Sequence, residues 1–151
     1  MTSRARVLGD NINTDYIITS RRKRESLDPQ YLRRYLFEEL DPNFAATIQL
    51  GDVLVAGRNF GCGSAMEVAV TAVVAAGIRA VLASSFSRTY YRNAVNNGLL
   101  PLICDTSAIR EGDPVDISAL AAEPLPPIML QIIETGGLVP YFRQHGRFPR
   151  L

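Results

Sequence analysis

The middle of the chain alternates apolar runs with stretches of helical periodicity. Residues 51–57 (GDVLVAG) form an apolar run bounded by glycines, which predicts a buried strand. Residues 64–76 (SAMEVAVTAVVAA) are apolar on almost every face, which predicts a buried helix. We expect Ser64 to be its N-cap, Glu67 to complete a capping box and Gly77 to end it. A second buried strand, "IRAVLASSF", and a short helix, "SRTYYRNAVNNG", follow.

The flanking segments carry weaker signals. Residues 5–9 predict a first strand, and Asp28 before Pro29 predicts a helix over residues 29–40. Further along, the pattern predicts these elements: a polar loop at 20–26, an edge or irregular strand at 99–104 marked by Pro101, a short strand within 110–117, an amphipathic helix at 128–137 and a tail at 138–151. The strand–helix–strand order in the middle predicts an α/β fold with right-handed crossovers. The irregular strands outside that middle argue against a regular doubly wound sheet.

Composition narrows the class of protein. The 151 residues predict one domain over residues 1–151, and 47% hydrophobic with 21% charged residues is an ordinary globular balance. The net charge of +1 gives no electrostatic reason to expect nucleic acid as a partner, and the apolar stretches are too short to span a membrane. Cys62 and Cys104 form neither a disulfide framework nor a metal-ligand set. We therefore expect a cytoplasmic protein with reduced thiols and no cofactor of its own.

The segment "GCGS" (61–64) is the first candidate site. Glycines between a strand and a helix allow close approach of the backbone or positive φ. The helix N-terminus behind them offers free N–H groups to a carboxylate, a phosphate or a serine alkoxide. The spacing matches neither the P-loop nor the G-x-S-x-G elbow. The alternative is that Ser64 only caps the helix. We expect no Ser-His-Asp triad, because the one histidine, His145, lies in the polar tail.

Two polar segments could complete a site. Asp15, in Asn13-Thr14-Asp15, is either a catalytic carboxylate or part of a local Asx turn. The basic run Arg21–Arg24 is either a solvated surface or a binding site for an anionic substrate, since an arginine guanidinium can form two hydrogen bonds to one carboxylate.

Three segments in order carry a family resemblance. They are "GDNINTDYII", "GDVLVAGRNFGCGS" and "GIRAVLASSFSRTYYRNAVNNGLLPL", and the ending "ETGGLVPYFRQHG" fits as well. Together they are similar to the small subunits of 3-isopropylmalate dehydratase and homoaconitase, which form the swivel-domain part of the aconitase superfamily. The resemblance extends from about residue 5 to residue 145.

The resemblance implies a single swivelling β/β/α domain of the aconitase type. It also implies a separate large subunit, which holds a [4Fe-4S] cluster through its own cysteines, and a small carboxylate substrate. In the family the reaction is the elimination and re-addition of water on a hydroxy-polycarboxylate, and we expect the chain to be active only with the large subunit. Homo-oligomer formation by the isolated chain is left open.

The resemblance also assigns roles to residues. Ser64 corresponds to the base that takes the carbon-bound proton, and helix-terminus N–H groups would stabilise its alkoxide. Asp15 corresponds to an aspartate that helps organise the site. Arg24 corresponds to a substrate-reading arginine in some members. The substrate-binding residues that we predict from these correspondences are Arg24, Gly63, Ala65 and Met66.

The motif departs from the family pattern. The family usually reads G-x-G-S-S-R-E, and here Ala65 replaces the second serine and Met66 replaces the arginine that would clamp a carboxylate. The usual proline after Asp15 is Thr19. The preferred interpretation is a 3-isopropylmalate dehydratase small subunit of leucine biosynthesis. The alternatives are a homoaconitase or methylmalate-type dehydratase small subunit, or a non-catalytic module that the departures mark as degenerate.

Overall fold

The computed structural model describes residues 2–148. Within that range one five-stranded sheet consists of β1 (Ser3–Val7), β2 (Val53–Val55), β3 (Ala80–Ala83), β4 (Leu100–Ile103) and β5 (Pro114–Val115). The spatial order is β4-β3-β2-β1-β5, in which β1 to β4 run parallel and β5 pairs antiparallel with β1. The predicted α/β class is confirmed. The strand with Pro101 lies at an edge of the sheet, as predicted.

Short helices surround the sheet. They are α1 (Thr14–Ile17), α2 (Ser20–Glu25), α3 (Pro29–Leu32), α4 (Phe44–Thr47), α5 (Val68–Ala75), α6 (Arg88–Asn96), α7 (Pro127–Glu134) and α8 (Leu138–His145), with 3-10 turns at Arg33–Tyr35 and Ile117–Ala119. In this described part of the chain, no helix has the length and apolarity needed to cross a membrane.

The core lies on both faces of the sheet. Leu54 and Val81 belong to a cluster with α3 and α5, whereas Val53, Val55 and Leu82 belong to a second cluster with β5 and the segments around it. Neighbouring strand residues point to opposite faces, so both faces are covered. This explains why β2 and β3 are continuous apolar runs without alternating polar residues.

The helix predicted over residues 29–40 begins as expected but ends early. Asp28 accepts a hydrogen bond from the Gln30 amide at 2.9 Å and is the N-cap of α3. The helix ends at Leu32, and Phe37 adopts a φ of 57°. The Phe37 ring is fully buried and packs against Phe44 with ring centroids 4.9 Å apart. Burial of this ring, which no local signal reports, accompanies the early reversal of the chain.

Two segments predicted as irregular contain helices. The predicted loop at 20–26 contains α2, whose N-cap Thr19 accepts from the Arg22 amide at 3.3 Å. The predicted tail contains α8, which buries Tyr141. His145 is exposed at the end of α8, with its ring centroid 4.3 Å from that of Tyr141. Residues 149–151 of the predicted tail lie outside the described residues.

Candidate active site

The Gly-rich turn, residues 60–66, lies where three parallel strands end. The loops after β1, β2 and β3 continue the parallel pairing beyond the strands, as bridges join Asn13 to Cys62 and Phe60 to Phe86. The carboxyl edge of a parallel sheet is the usual place for a ligand site in α/β proteins. The topology therefore brings the segment around Asp15 next to the turn that holds Ser64.

Thr14 links these two segments directly. Its amide donates to the Cys62 carbonyl at 2.8 Å, and its hydroxyl donates to the Ser64 carbonyl at 2.8 Å. The Thr14 residue is only 2% exposed. Asn13 caps α1 by accepting from the Asp15 amide at 2.8 Å. The sequence analysis did not identify Thr14 as a site residue, although its place between Asn13 and Asp15 indicated that it lies in the same segment of the site.

Ser64 is not the N-cap of the following helix. Helix α5 begins at Val68, and its N-cap is Glu67, whose side chain makes no capping hydrogen bond. The predicted capping box is therefore wrong. The capping motif in the sequence does not indicate that Met66 packs in the core. Residues 64–66 precede the helix and do not form its first turn. Ser64 is exposed, and within residues 2–148 its hydroxyl makes no hydrogen bond.

The two glycines of the turn are required by contacts as well as by conformation. Gly61 and Gly63 have φ values of 81° and 93°. A Cβ on Gly61 would overlap side-chain atoms of Tyr90, and one on Gly63 would lie 2.5 Å from the amide oxygen of Asn13. Close approach and positive φ thus coincide at both positions.

Ala65 and Met66 have opposite environments. Ala65 is exposed beside Ser64, whereas the Met66 residue is 5% exposed and belongs to the same core cluster as α5. Core packing accounts for an apolar residue at position 66. The substrate-binding role predicted for both residues stays a prediction.

Asp15 is exposed and is joined to the basic segment. The Ser20 hydroxyl donates to the Asp15 carboxylate at 3.0 Å. This contact couples the N-terminus of α2 to the predicted catalytic carboxylate.

The four basic residues of α2 are not equivalent. The Arg22 guanidinium binds Glu38 through two hydrogen bonds of 3.0 and 3.1 Å. Arg21 is exposed and lies 3.6 Å from the same carboxylate. Arg24 is exposed and, among the residues that the structure describes, makes no ion pair. The charge of Arg24 is therefore not neutralised by a described carboxylate, and its role in substrate binding stays a prediction.

Hydrogen bonds and burial perturb several titrating groups. The Arg22 guanidinium holds the pKa of the Glu38 carboxyl below its ordinary value. Burial raises the pKa of Tyr90, whose neutral hydroxyl donates to the Ala69 carbonyl at 2.9 Å and ties α6 to α5. Burial also raises the pKa of the Cys104 thiol.

The described part of the chain offers no metal centre. Cys62 and Cys104 are both free thiols. Among residues 2–148 there is no group of three or more His, Cys, Asp and Glu side chains that could hold a metal ion.

Fold and site together define a class of protein, the aconitase C-terminal domains. Residues 38–107, which include the Ser64 turn at the carboxyl edge of the mostly parallel sheet, match the family described as "Aconitase C-terminal domain". The crystal structure of 3-isopropylmalate dehydratase from Methanocaldococcus jannaschii superposes with a TM-score of 0.90 at 38% sequence identity. That match covers 96% of this chain and 94% of the other.

Curated relatives give the particular family. The chain is 39% identical to 3-isopropylmalate dehydratase small subunit 2 of Archaeoglobus fulgidus, over 97% of this chain and 96% of the relative. It is 44% identical to the 3-isopropylmalate dehydratase small subunit of Moorella thermoacetica, over 88% and 89%. It is also 40% identical to the methanogen homoaconitase small subunit of Methanocaldococcus jannaschii, over 93% and 90%. The chain belongs to the family of 3-isopropylmalate dehydratase small subunits, and the predicted fold class and resemblance are confirmed.

Proposed function

We propose that this chain is the small subunit of a heteromeric hydro-lyase that removes and re-adds water on a malate-like di- or tricarboxylate, with 3-isopropylmalate as the best substrate. The observation that carries the proposal is the pair of Thr14 hydrogen bonds, which hold the Asp15 segment against the Ser64 turn. The small-subunit names of the relatives support a large-subunit partner.

Ser64 is the group that exchanges the proton. Its alkoxide takes the proton from the substrate carbon, the C–H electron pair becomes the new double bond, and the hydroxyl group on the neighbouring carbon leaves with its own bonding pair. The proton and the hydroxyl group then add back, each to the carbon that the other had left, and the product is the isomer. The exposed Ser64 hydroxyl has no competing hydrogen bond among the described residues, which suits this role.

Backbone N–H groups of the turn are the donors that this chain offers to the alkoxide. Because α5 starts at Val68, its first N–H groups are removed from Ser64 by several residues. The amides of Gly63, Ser64 and Ala65 donate to no acceptor within residues 2–148. Successive free amides of this kind stabilise an anion, and charge stabilisation of this type is a large term in catalysis.

The iron–sulfur cluster that the family implies does not fit this chain. Two free thiols cannot supply the cysteines of a [4Fe-4S] cluster, and we assign the cluster to the large subunit.

Arg24 binds a substrate carboxylate. It is the exposed arginine of α2 without an acidic partner in the described chain, and Ser20 connects the same helix to Asp15. A desolvated arginine–carboxylate bond contributes about 1.5–3 kcal/mol. Arg24 would in this way supply the carboxylate contact that the family's arginine makes at the position of Met66.

Reconstitution with a cluster-bearing large subunit of the family tests the proposal. The assembled protein is assayed with 3-isopropylmalate, homoaconitate and 2-methylmalate, and each subunit alone is the control. We expect turnover only in the assembly, with 3-isopropylmalate preferred. Preference for homoaconitate would favour the second family activity, to which one relative points. Assembly without turnover of any of the three would identify a non-catalytic module and overturn the proposal.

A further inference from the structure

Helix α2 has no hydrophobic attachment of its own. It spans six residues, and none of them is buried. A helix of this length is not stable alone in water, so contacts outside it must hold it in place. One of its side chains, Arg24, is the cation that the proposed function needs near the substrate. Whatever holds α2 therefore also determines where that cation lies.

Arg22 makes the contacts that hold the helix. Its Nε and Nη2 donate to the two carboxylate oxygens of Glu38 at 3.0 and 3.1 Å, and its Nη1 donates to Glu25 at 3.1 Å. The guanidinium carbon lies 3.7 Å from the centroid of the Tyr35 ring. The edge and the face of the guanidinium are thus both engaged, and its side chain is 20% exposed.

Of the two acidic partners of Arg22, Glu25 belongs to α2 itself, whereas Glu38 lies outside it, next to buried residues. Glu38 directly follows Leu36 and Phe37, which are fully buried, and the Phe37 amide donates to the Ile17 carbonyl at 3.0 Å. Glu25, at the end of α2, accepts a second hydrogen bond of 2.6 Å from the Tyr31 hydroxyl. Through its contact with Glu38, Arg22 therefore attaches the exposed helix α2 to the packed part of the protein.

The other end of α2 reaches the proposed site. Thr19, which is buried, caps the helix, and Ser20 hydrogen-bonds the Asp15 carboxylate. A displacement of α2 would move this serine and with it the surroundings of Asp15.

We propose that Arg22 is a positioning residue: its bidentate bond to Glu38 and its stacking on Tyr35 hold α2 so that Arg24 presents its charge to the substrate beside Asp15. Arg22 does not bind substrate, because its own charge is committed to two carboxylates of this chain. The inference rests on the proposed function for the identity of the site, whereas the attachment of α2 does not depend on it.

Hydrogen–deuterium exchange on the isolated chain tests the attachment without any activity. Arg22→Ala should speed exchange of α2 amides, including that of Ser26, which donates to the Arg22 carbonyl, by about tenfold or more. Arg33→Ala is the control, because Arg33 is exposed and, within residues 2–148, its side chain makes no ion pair and stacks on no aromatic ring. Unchanged α2 exchange in Arg22→Ala, or an equal change in Arg33→Ala, would overturn the proposal.

Kinetics of the assembled enzyme test the consequence. Arg22→Ala should raise KM about tenfold while kcat changes by less than about threefold, because Arg24 moves while the Ser64 turn stays held by the hydrogen bonds of Thr14. Arg22→Lys should recover only part of the affinity, and the exchanged pair Arg22→Glu with Glu38→Arg should recover more than either single change. A fall in kcat with unchanged KM, or no change in KM, would overturn the positioning role. A wild-type assembly that turns over no panel substrate would refute the proposed function instead, and the exchange result alone would then decide the attachment of α2.

Discussion

The Gly-rich turn and helix α2 are two exposed polar segments that are held in different ways. The turn is fixed by backbone hydrogen bonds and by the buried residues Thr14 and Met66. Helix α2 is fixed by side-chain ion pairs of Arg22 and by two hydroxyl–carboxylate hydrogen bonds, from Ser20 to Asp15 and from Tyr31 to Glu25. Both segments carry proposed site residues, Ser64 on the turn and Arg24 on the helix.

The difference separates two demands on the site. Buried backbone hydrogen bonds are costly to break and hold the proton-transfer serine in one place. Partly exposed ion pairs are worth less and open at lower cost. Side chains of a substrate-binding helix that is held in this way can therefore be substituted without disturbing the turn. Substitutions in each segment, with matched controls elsewhere, test this contrast.

The largest effect is expected for Gly61→Ala. The new Cβ would overlap side-chain atoms of Tyr90 at a φ of 81°, so we expect a loss of about 3 kcal/mol or more in the free energy of unfolding. Gly112→Ala is the control, because Gly112 has a φ of 84° and a Cβ added there would meet nothing within 4 Å, so it should lose only about 1 kcal/mol. Equal losses in urea unfolding would mean that backbone strain alone, without the contact to Tyr90, explains Gly61.

Ser64→Ala should abolish most turnover and leave stability unchanged. We expect kcat of the assembled enzyme to fall about a hundredfold or more, as for the loss of a positioned base. The free energy of unfolding should change by less than about 0.5 kcal/mol, because the hydroxyl neither caps α5 nor bonds any described residue. Ser84→Ala removes an exposed hydroxyl from the neighbouring loop and should affect neither quantity. Near-wild-type turnover of the Ser64 variant would exclude it as the base.

Thr14→Val should weaken the turn and its chemistry together. Loss of the hydrogen bond to the Ser64 carbonyl should cost about 1–2 kcal/mol of stability and lower kcat about tenfold. Thr106→Val removes a similar bond, of 2.7 Å to the Ala56 carbonyl, that does not touch Ser64. It should cost similar stability and leave kcat unchanged. If kcat falls equally in both variants, Thr14 has no special link to the serine.

The smallest effect concerns Glu38 and depends on pH. The pKa of Glu38 is lowered in the folded chain from an ordinary 4.5, so its ion pair stabilises the fold above that pH and the contribution is lost as the pH falls through the lower, folded-state pKa. Glu38→Gln should lose about 0.5–1 kcal/mol at neutral pH, and the difference from wild type should shrink below pH 4.5. Glu39→Gln, at an exposed neighbour without an ion pair in the described chain, should show no such pH dependence. A pH-independent difference would show that charge is not the cause.

Much of the fold was predictable because its signals are local. The runs that became β2 and β3 are continuously apolar, and Asp28 before Pro29 marks the start of α3. The end of that helix was not predictable, because it depends on burial of Phe37 against Phe44. Helix α8 was missed because its burial of Tyr141 depends on residues of two other helices, Val95 of α6 and Ile132 of α7.

The sequence by itself determined the family, the glycines of the turn and the candidates Ser64, Asp15 and Arg24. Their motifs are contiguous, and their residue types limit the chemistry. Only the tertiary structure decided that Ser64 precedes α5 instead of capping it, that Thr14 joins two segments 50 residues apart, and that Arg22 is committed to Glu38 while Arg24 is exposed. Such contacts form because loops from separate strands end at one edge of the sheet, and no local propensity encodes which of their atoms will meet.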